Sequence, residues 1–262
     1  MPFVHDWIKW DKSCIVTAIP YYEPANELPP GPVTRSPARP VQDVIPGDAL
    51  LKPLSSLEYE PFPVQKDSHD RTAFYAQVGD VVSPSSFHVV PTHFLLLYQD
   101  ISANLSQFYQ TKSPSGQYTI GKLASPGMLC GATYEPDIWY RAIILSVADG
   151  HADILYFDSG GKATKKVSDL NFLPSQFWEH KTLSRQAGLY SLRGTAENGT
   201  WTQASVDTFN QLAQSIIVLV TVETETDSGT LEVRLTLEKE DGATLSVGTE
   251  LIRQNLAVSV AD

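Results

Sequence analysis

Few residues in this chain are spaced for catalysis, and most of those lack a necessary neighbour. Gly116 to Lys122 reads G-Q-Y-T-I-G-K and mimics a phosphate loop, in which backbone amides and a lysine cradle phosphate. The next residue is Leu123 rather than the Ser or Thr that would hold magnesium, and the run follows a loop rather than a strand. His88 and His93 fall on an expected strand end and helix start, with no third ligand nearby to complete a metal site. Cys14 and Cys130 stand alone, which excludes a disulfide scaffold and a zinc finger and points to a reducing compartment. There is no nucleophile elbow and no paired-histidine motif. Cys130 to Leu173 concentrates Tyr134, Trp139, Tyr140, Arg141, Tyr156 and Asp158. Any one of the tyrosines, taken alone, reads as strand packing. Trp139 neighbours Tyr140 on a strand, so it faces the opposite way and reads as core. Arg141 reads as a structural ion-pair partner, and Asp158 as a tie for the Ser159-Gly160-Gly161 turn, whose glycines permit positive φ.

The elements that must position these residues begin near residue 70. Eleven of the 18 prolines lie between Pro20 and Pro63, and a run such as Pro29-Pro30-Gly31-Pro32 forms neither helix nor central strand. Residues 1–70 therefore read as a Pro-rich arm, extended or partly disordered. Its apolar groups (Tyr21, Tyr22, Leu50, Leu51, Leu54, Tyr59, Phe62) could lie along the folded body, and residues 3–10 could anchor it. From Thr72 the pattern is regular. Ala73–Val82 and Phe87–Val90 read as paired strands. Thr92–Gln110 reads as a helix with Thr92 as N-cap and a stripe of Phe94, Leu97, Tyr98, Ile101, Leu105 and Phe108. Short strands follow at 128–133, 139–147, 151–156, 163–167 and 170–173, the spacing of a small antiparallel barrel. A strand at 187–192, a helix at 202–213, strands at 216–224, 230–237 and 244–247, and a short helix at 250–254 complete the chain. The fold class is mostly β with helices (α+β). The order suggests one barrel inserted into another, with 73–111 and 187–259 building the outer one.

Nineteen Lys and Arg against 30 Asp and Glu leave a net charge of −11, which disfavours nucleic-acid backbones and suits a basic partner. No stretch reaches the roughly 18 apolar residues of a membrane span, and residues 1–10 do not read as a signal peptide. The acidic stretch from Glu223 to Asp241 reads as a solvated hairpin edge.

The segment C-G-A-T-Y-E-P-D-I-W-Y-R-A-I-I, followed by A-D-I-L-Y-F-D-S-G-G-K, resembles the Tudor domain family. That family's pattern is roughly C-x-A-x-F/Y, then W-Y-R-A-x-V, then V-x-F/Y-x-D-Y-G-N. The flanks (Phe87-His88-Val89, Leu173-Pro174 with Phe177, Gln186-Ala187-Gly188-Leu189, and the helix at Trp201) are similar to the extended form. In that form a Tudor barrel is inserted in a split, staphylococcal-nuclease-like OB subdomain. The resemblance covers about 76–259, with a Tudor core at about 123–176. Its nuclease-like half raises the question of catalysis. Nuclease chemistry needs carboxylates and arginines clustered around a metal, and 73–111 and 187–259 hold no such cluster. The resemblance implies a non-catalytic protein-interaction module without a cofactor.

Extended Tudor domains bind peptides bearing symmetric dimethylarginine, often from the N-termini of PIWI-clade Argonautes. The resemblance thus implies a PIWI-family peptide as partner, in piRNA-guided transposon silencing and in cytoplasmic, perinuclear germ granules (nuage). A methylated guanidinium keeps its charge, loses donors and gains apolar surface, so a box of aromatic faces suits it. Carried over, the cage aromatics fall on Tyr134, Tyr140 and Tyr156. The fourth falls on Ser159, and the amide acceptor on Gly161. One wall and the acceptor are thus missing. Two readings follow. The pocket takes an unmodified arginine, with Asp158 or Glu135 supplying charge-assisted hydrogen bonds. Alternatively the cage is vestigial and the chain is a self-associating scaffold. Ordinary symmetric-dimethylarginine reading and nuclease activity rank below both.

Overall fold

The computed structural model describes residues 72–112, 118–178, 180–238 and 242–260. The Pro-rich arm, the anchor expected at 3–10, the start of the phosphate-loop-like run and residues 239–241 at the end of the acidic stretch lie outside these residues. The end of that run is a 3-10 turn over Gly121–Leu123.

Alternation of apolar side chains forms the first strands. In β1 (Ala73–Ser83) Phe74, Ala76 and Val78 point inward. β1 pairs antiparallel with β2 (Ser86–Pro91) around a tight turn. A 3-10 turn over Thr92–Phe94 then leads into helix α1 (Leu95–Lys112). Thr92 is not the N-cap. The turn starts from Pro91, whose missing amide suits a helix entry, and no side chain caps it.

Five short strands follow: β3 (Leu129–Glu135), β4 (Ile138–Ala148), β5 (His151–Leu155), β6 (Lys162–Lys166) and β7 (Asn171–Phe172). They form an antiparallel sheet in the order β6-β5-β4-β3-β7. The chain then adds β8 (Arg185–Leu189), β9 (Leu192–Gly194), α2 (Gln203–Ala213), β10 (Ile217–Glu225), β11 (Leu231–Glu238), β12 (Thr244–Ser246), α3 (Val247–Arg253) and β13 (Ala257–Ser259). The Thr202 hydroxyl caps α2 by accepting from the Ser205 amide at 3.1 Å.

These late strands close a ring with the first two. β10 pairs with β1, β1 with β2, β2 with β8, β8 with β11, and β11 with β10 again. Only β8–β11 is parallel among these, and β12 extends the sheet beyond β11. The inserted-barrel reading therefore holds: the ring of β1, β2, β8, β10 and β11 is interrupted by the β3–β7 sheet.

Each sheet has its own core. Phe87, Val89, Val220, Val233, Phe209 and Leu251 fill the ring, with α2 and α3 as lids. Leu129, Ile143, Ile154, Phe172 and Leu173 fill the inserted sheet. Helix α1 belongs with the second core rather than the first. Its Leu105 and Tyr109 are buried among the β3–β7 residues, and the Ser106 hydroxyl accepts from the Trp139 amide at 2.9 Å. Residues 73–111 are thus divided in their packing, with strands to one barrel and helix to the other.

The two barrels meet at the turn after β5. The Asp80 amide donates to the Ser159 carbonyl at 3.2 Å. Gly160 takes φ +85°, and a Cβ there would lie 2.1 Å from the His88 ring. Replacing Gly160 by Ala imposes left-handed strain and that overlap together, so a loss of about 2 kcal/mol is expected by chemical denaturation. The His88→Ala background should recover the steric part only.

Candidate functional site

The three tyrosines converge where β3, β4 and β5 end together. Tyr134 is the penultimate residue of β3, Tyr140 sits on β4 opposite Ala132, and Tyr156 follows β5. The Tyr134 and Tyr156 rings are 5.5 Å apart at 71°, and those of Tyr140 and Tyr156 are 6.2 Å apart at 84°. Such edge-on contacts are the geometry in which one ring turns its face away from its neighbour. Their burial differs sharply. Tyr134 is 45% exposed, the outermost of the three. Tyr140 is half-buried, whereas Tyr156 is only 2% exposed and donates its phenol to the Thr133 carbonyl at 2.8 Å. Tyr156 is the innermost of the three.

All three phenols stay protonated at neutral pH. Burial, then the charge of Glu135, pushes Tyr140 up to about 12. Burial raises Tyr156, and burial followed by Asp80 and Glu135 raises Tyr134. The site therefore offers neutral aromatic faces with carboxylates beside them, an environment suited to a cation.

Asp158 is not one of those carboxylates. It is buried, and both its oxygens accept from Arg141, from Nε at 2.8 Å and from an Nη at 2.7 Å. It also accepts from the Leu183 amide at 3.2 Å. Arg141 is fully buried and spends its other donors on the carbonyls of Phe177, His180 and Lys181 at 2.7–3.0 Å. The alternation that puts Tyr140 beside Tyr156 turns Arg141 to the other face, over the Phe157 ring at 5.0 Å. The pair fastens the segment after β7 to the inserted sheet, which leaves Glu135 as the acidic candidate anticipated from sequence. Asp80, on β1 of the outer ring, is the one not anticipated. Burial raises its carboxyl and Lys162 opposes the shift.

Ser159 and Gly161 hold the turn. The amides of Ser159 and Gly160 both donate to the Tyr156 carbonyl, and the Tyr156 amide donates to the Gly161 carbonyl. A Cβ at Gly161 would meet Tyr156 at an ordinary 3.7 Å, so the absence of a side chain there is not forced by space.

The Tudor domain family model matches residues 72–194. That stretch is similar to a Tudor domain. Mouse Tudor domain-containing protein 1 is 26% identical over 155 residues, which is 55% of this chain. The chain spans 12% of that protein's length. The human TDRD1 extended Tudor domain, solved in complex with a symmetrically dimethylated peptide, superposes with a TM-score of 0.65 at 20% identity. That match covers 81% of this chain and 96% of the other. Extended Tudor domain TD3 of mouse TDRD1, in complex with a MILI peptide containing dimethylarginine, gives 0.66 at 20% identity, over 79% and 100%. The fold is that of an extended Tudor domain. Among the described residues no three His, Cys, Asp or Glu are grouped to hold a metal, and no helix is long and apolar enough to cross a membrane.

One aromatic beside the three tyrosines is not marked in the sequence. Tyr98 of α1 stacks on Tyr140, with ring centroids 5.8 Å apart and planes 25° apart. Periodicity places it in the packing stripe of the helix, and its position there gives no signal beyond an aromatic one turn before Ser102.

Proposed function

We propose that this chain acts by binding rather than catalysis, taking an arginine side chain of a partner peptide between Tyr134 and Tyr140 over the Tyr156 floor. The observation that carries this reading is the convergence of three neutral tyrosine faces beside Asp80 and Glu135. Stacking and cation–π attraction serve both methylated and unmethylated guanidinium. Gly161 provides no side-chain acceptor to align the methylated form, so binding depends less on methylation than a complete cage would require. The proposed partner is an arginine-containing N-terminal segment of a PIWI-family protein, in piRNA-guided transposon silencing within germ granules. The MILI peptide in the mouse TDRD1 complex is a ligand of this kind.

The test is calorimetry with one such peptide, unmethylated and symmetrically dimethylated. Comparable affinity for both is expected. Tyr134→Ala and Tyr140→Ala should each weaken binding by about 1–2 kcal/mol while the domain stays folded. Tyr156→Ala is a poor probe, because emptying a buried aromatic site costs roughly 3–5 kcal/mol of stability in its own right. Strong preference for the methylated peptide would overturn the reduced dependence on methylation. Failure of both peptides to bind would overturn the pocket and leave self-association as the role to measure, by concentration-dependent mass.

A further inference from the structure

The position that the family resemblance gives to a fourth cage aromatic holds Ser159, yet the space beside it holds an aromatic ring. Tyr98 reaches there from α1. Its ring lies nearly parallel to Tyr140 at 5.8 Å, and its phenol lies beside the Ser159 hydroxyl. Burial is the main cause that raises that phenol well above its usual range. Tyr140 and Asp158 add to the shift, and the Ser159 hydroxyl opposes it.

The helix that delivers Tyr98 is fixed to the same sheet. The Ser102 hydroxyl donates to the Trp139 carbonyl at 2.9 Å, and the Ser106 hydroxyl accepts from the Trp139 amide at 2.9 Å. Ser102 lies one turn beyond Tyr98 and touches the Tyr140 phenol as well. Tyr98 and Tyr140 are therefore held by neighbouring points of one helix–strand contact.

We propose that Tyr98 is the fourth aromatic wall of this pocket, supplied by helix α1 in place of the side chain missing at Ser159, and that it sets affinity for the guanidinium. This rests on the arginine-pocket reading above. A small hydroxyl at Ser159 does two things that a tyrosine there could not: it leaves room for the Tyr98 ring and gives its phenol a hydrogen-bonding neighbour. The wall is thus moved from a turn to a helix, where its rotamer is locked by packing.

The test uses the whole chain and a short Ala/Gly peptide with one central arginine, unmodified or symmetrically dimethylated. Tyr98→Ala should weaken both peptides about fivefold to tenfold. Tyr98→Phe, which keeps the ring, should stay close to wild type. Ser159→Tyr placed in the Tyr98→Ala background should recover affinity, whereas Ser159→Tyr alone should not improve it, since two rings would compete for one space. Thermal melts of each variant separate lost affinity from lost fold.

Affinity unchanged by Tyr98→Ala would overturn the wall while leaving the pocket standing. Tighter binding after Tyr98→Ala would also overturn it, making Tyr98 a plug. The ring contact is checked without ligand by NMR. Tyr98–Tyr140 ring cross-peaks are expected in the free protein, and their absence would refute the placement whatever the peptide does. Cross-peaks with no binding by wild type or any variant would remove the pocket and the wall together.

Discussion

Asp158→Asn is expected to lower the stability of the chain by about 3–5 kcal/mol, because it leaves the Arg141 guanidinium buried without its counter-charge. Both partners are almost free of solvent, at 0% and 5% side-chain exposure, so water cannot take the place of the lost carboxylate. Urea unfolding measures the loss, and a change below about 1 kcal/mol would show that the pair is dispensable. Arg141→Met with Asp158→Leu should recover part of the loss, since a dry apolar pair carries no orphaned charge. Recovery will be incomplete. The carbonyls of Phe177, His180 and Lys181 still lose their donor, each at a cost of roughly 1 kcal/mol. If Asp158 acts only through Arg141, the fraction of Asp158→Asn that remains folded should bind peptide as wild type does. A selective loss of affinity would return Asp158 to the ligand.

The second large effect is expected on acidification. His88, packed against Gly160 at the meeting of the two barrels, has its pKa lowered to about 4, first by burial and then by Lys162. In the unfolded chain the same imidazole titrates near 6.5. Between these values the unfolded state binds more protons, so acid favours unfolding. The contribution of neutral His88 is fully present above about pH 6.5 and is lost as pH falls toward 4, by up to roughly 3 kcal/mol. Asp80, whose carboxyl is raised by burial, works in the opposite direction in acid, so the total slope is a sum. The difference between wild type and His88→Gln isolates the imidazole. Unfolding free energies measured from pH 7 to 4 should converge for the two proteins, and parallel curves would refute the assignment. A further consequence concerns the pocket. The Ser159-Gly160 turn rests on His88, so peptide affinity of the folded protein should hold down to about pH 5 and weaken only as pH approaches 4, and should do so less in the variant.

Much of this architecture is legible in the sequence because its signals are local. The helix stripe from Leu97 to Phe108, the alternation in β4 and β5, and the helix over 202–213 all follow from periodicity within a few residues. Other features depend on partners distant in sequence. β9 and β13 are three residues each and exist because they pair with one another, Ala257 opposite Gly194. The expected strand over 187–192 is broken at Tyr190-Ser191, where Ser191 takes φ +51°, and no glycine or proline marks that turn. The parallel match of β8 with β11 leaves no trace in either segment. At the candidate site, the motif singles out Tyr134, Tyr140 and Tyr156, whose rings the structure brings together, but not their unequal burial. Asp158 reads as available to a ligand until Arg141, seventeen residues earlier, is seen to turn inward and meet it. The stacking of Tyr98 on Tyr140 is hidden for the same reason: which partner a stripe aromatic meets depends on what lies opposite.

The closure of the outer ring has a consequence for synthesis. β1 pairs with β10 from Ala73 opposite Thr221, and β2 pairs with β8 from Phe87 opposite Ala187. On the ribosome, the β1–β2 hairpin therefore emerges with both edges bare and must wait for its partners. At about 5–20 residues per second, β10 follows on the order of ten seconds later. In that interval the inserted sheet and α1, whose contacts are nearer in sequence, can already be folded, while the hairpin presents unpaired backbone to other chains. Any fragment ending at residue 194, where the family match stops, never closes the ring. Residues 195–259 are thus the part of the chain that ends its exposure to aggregation.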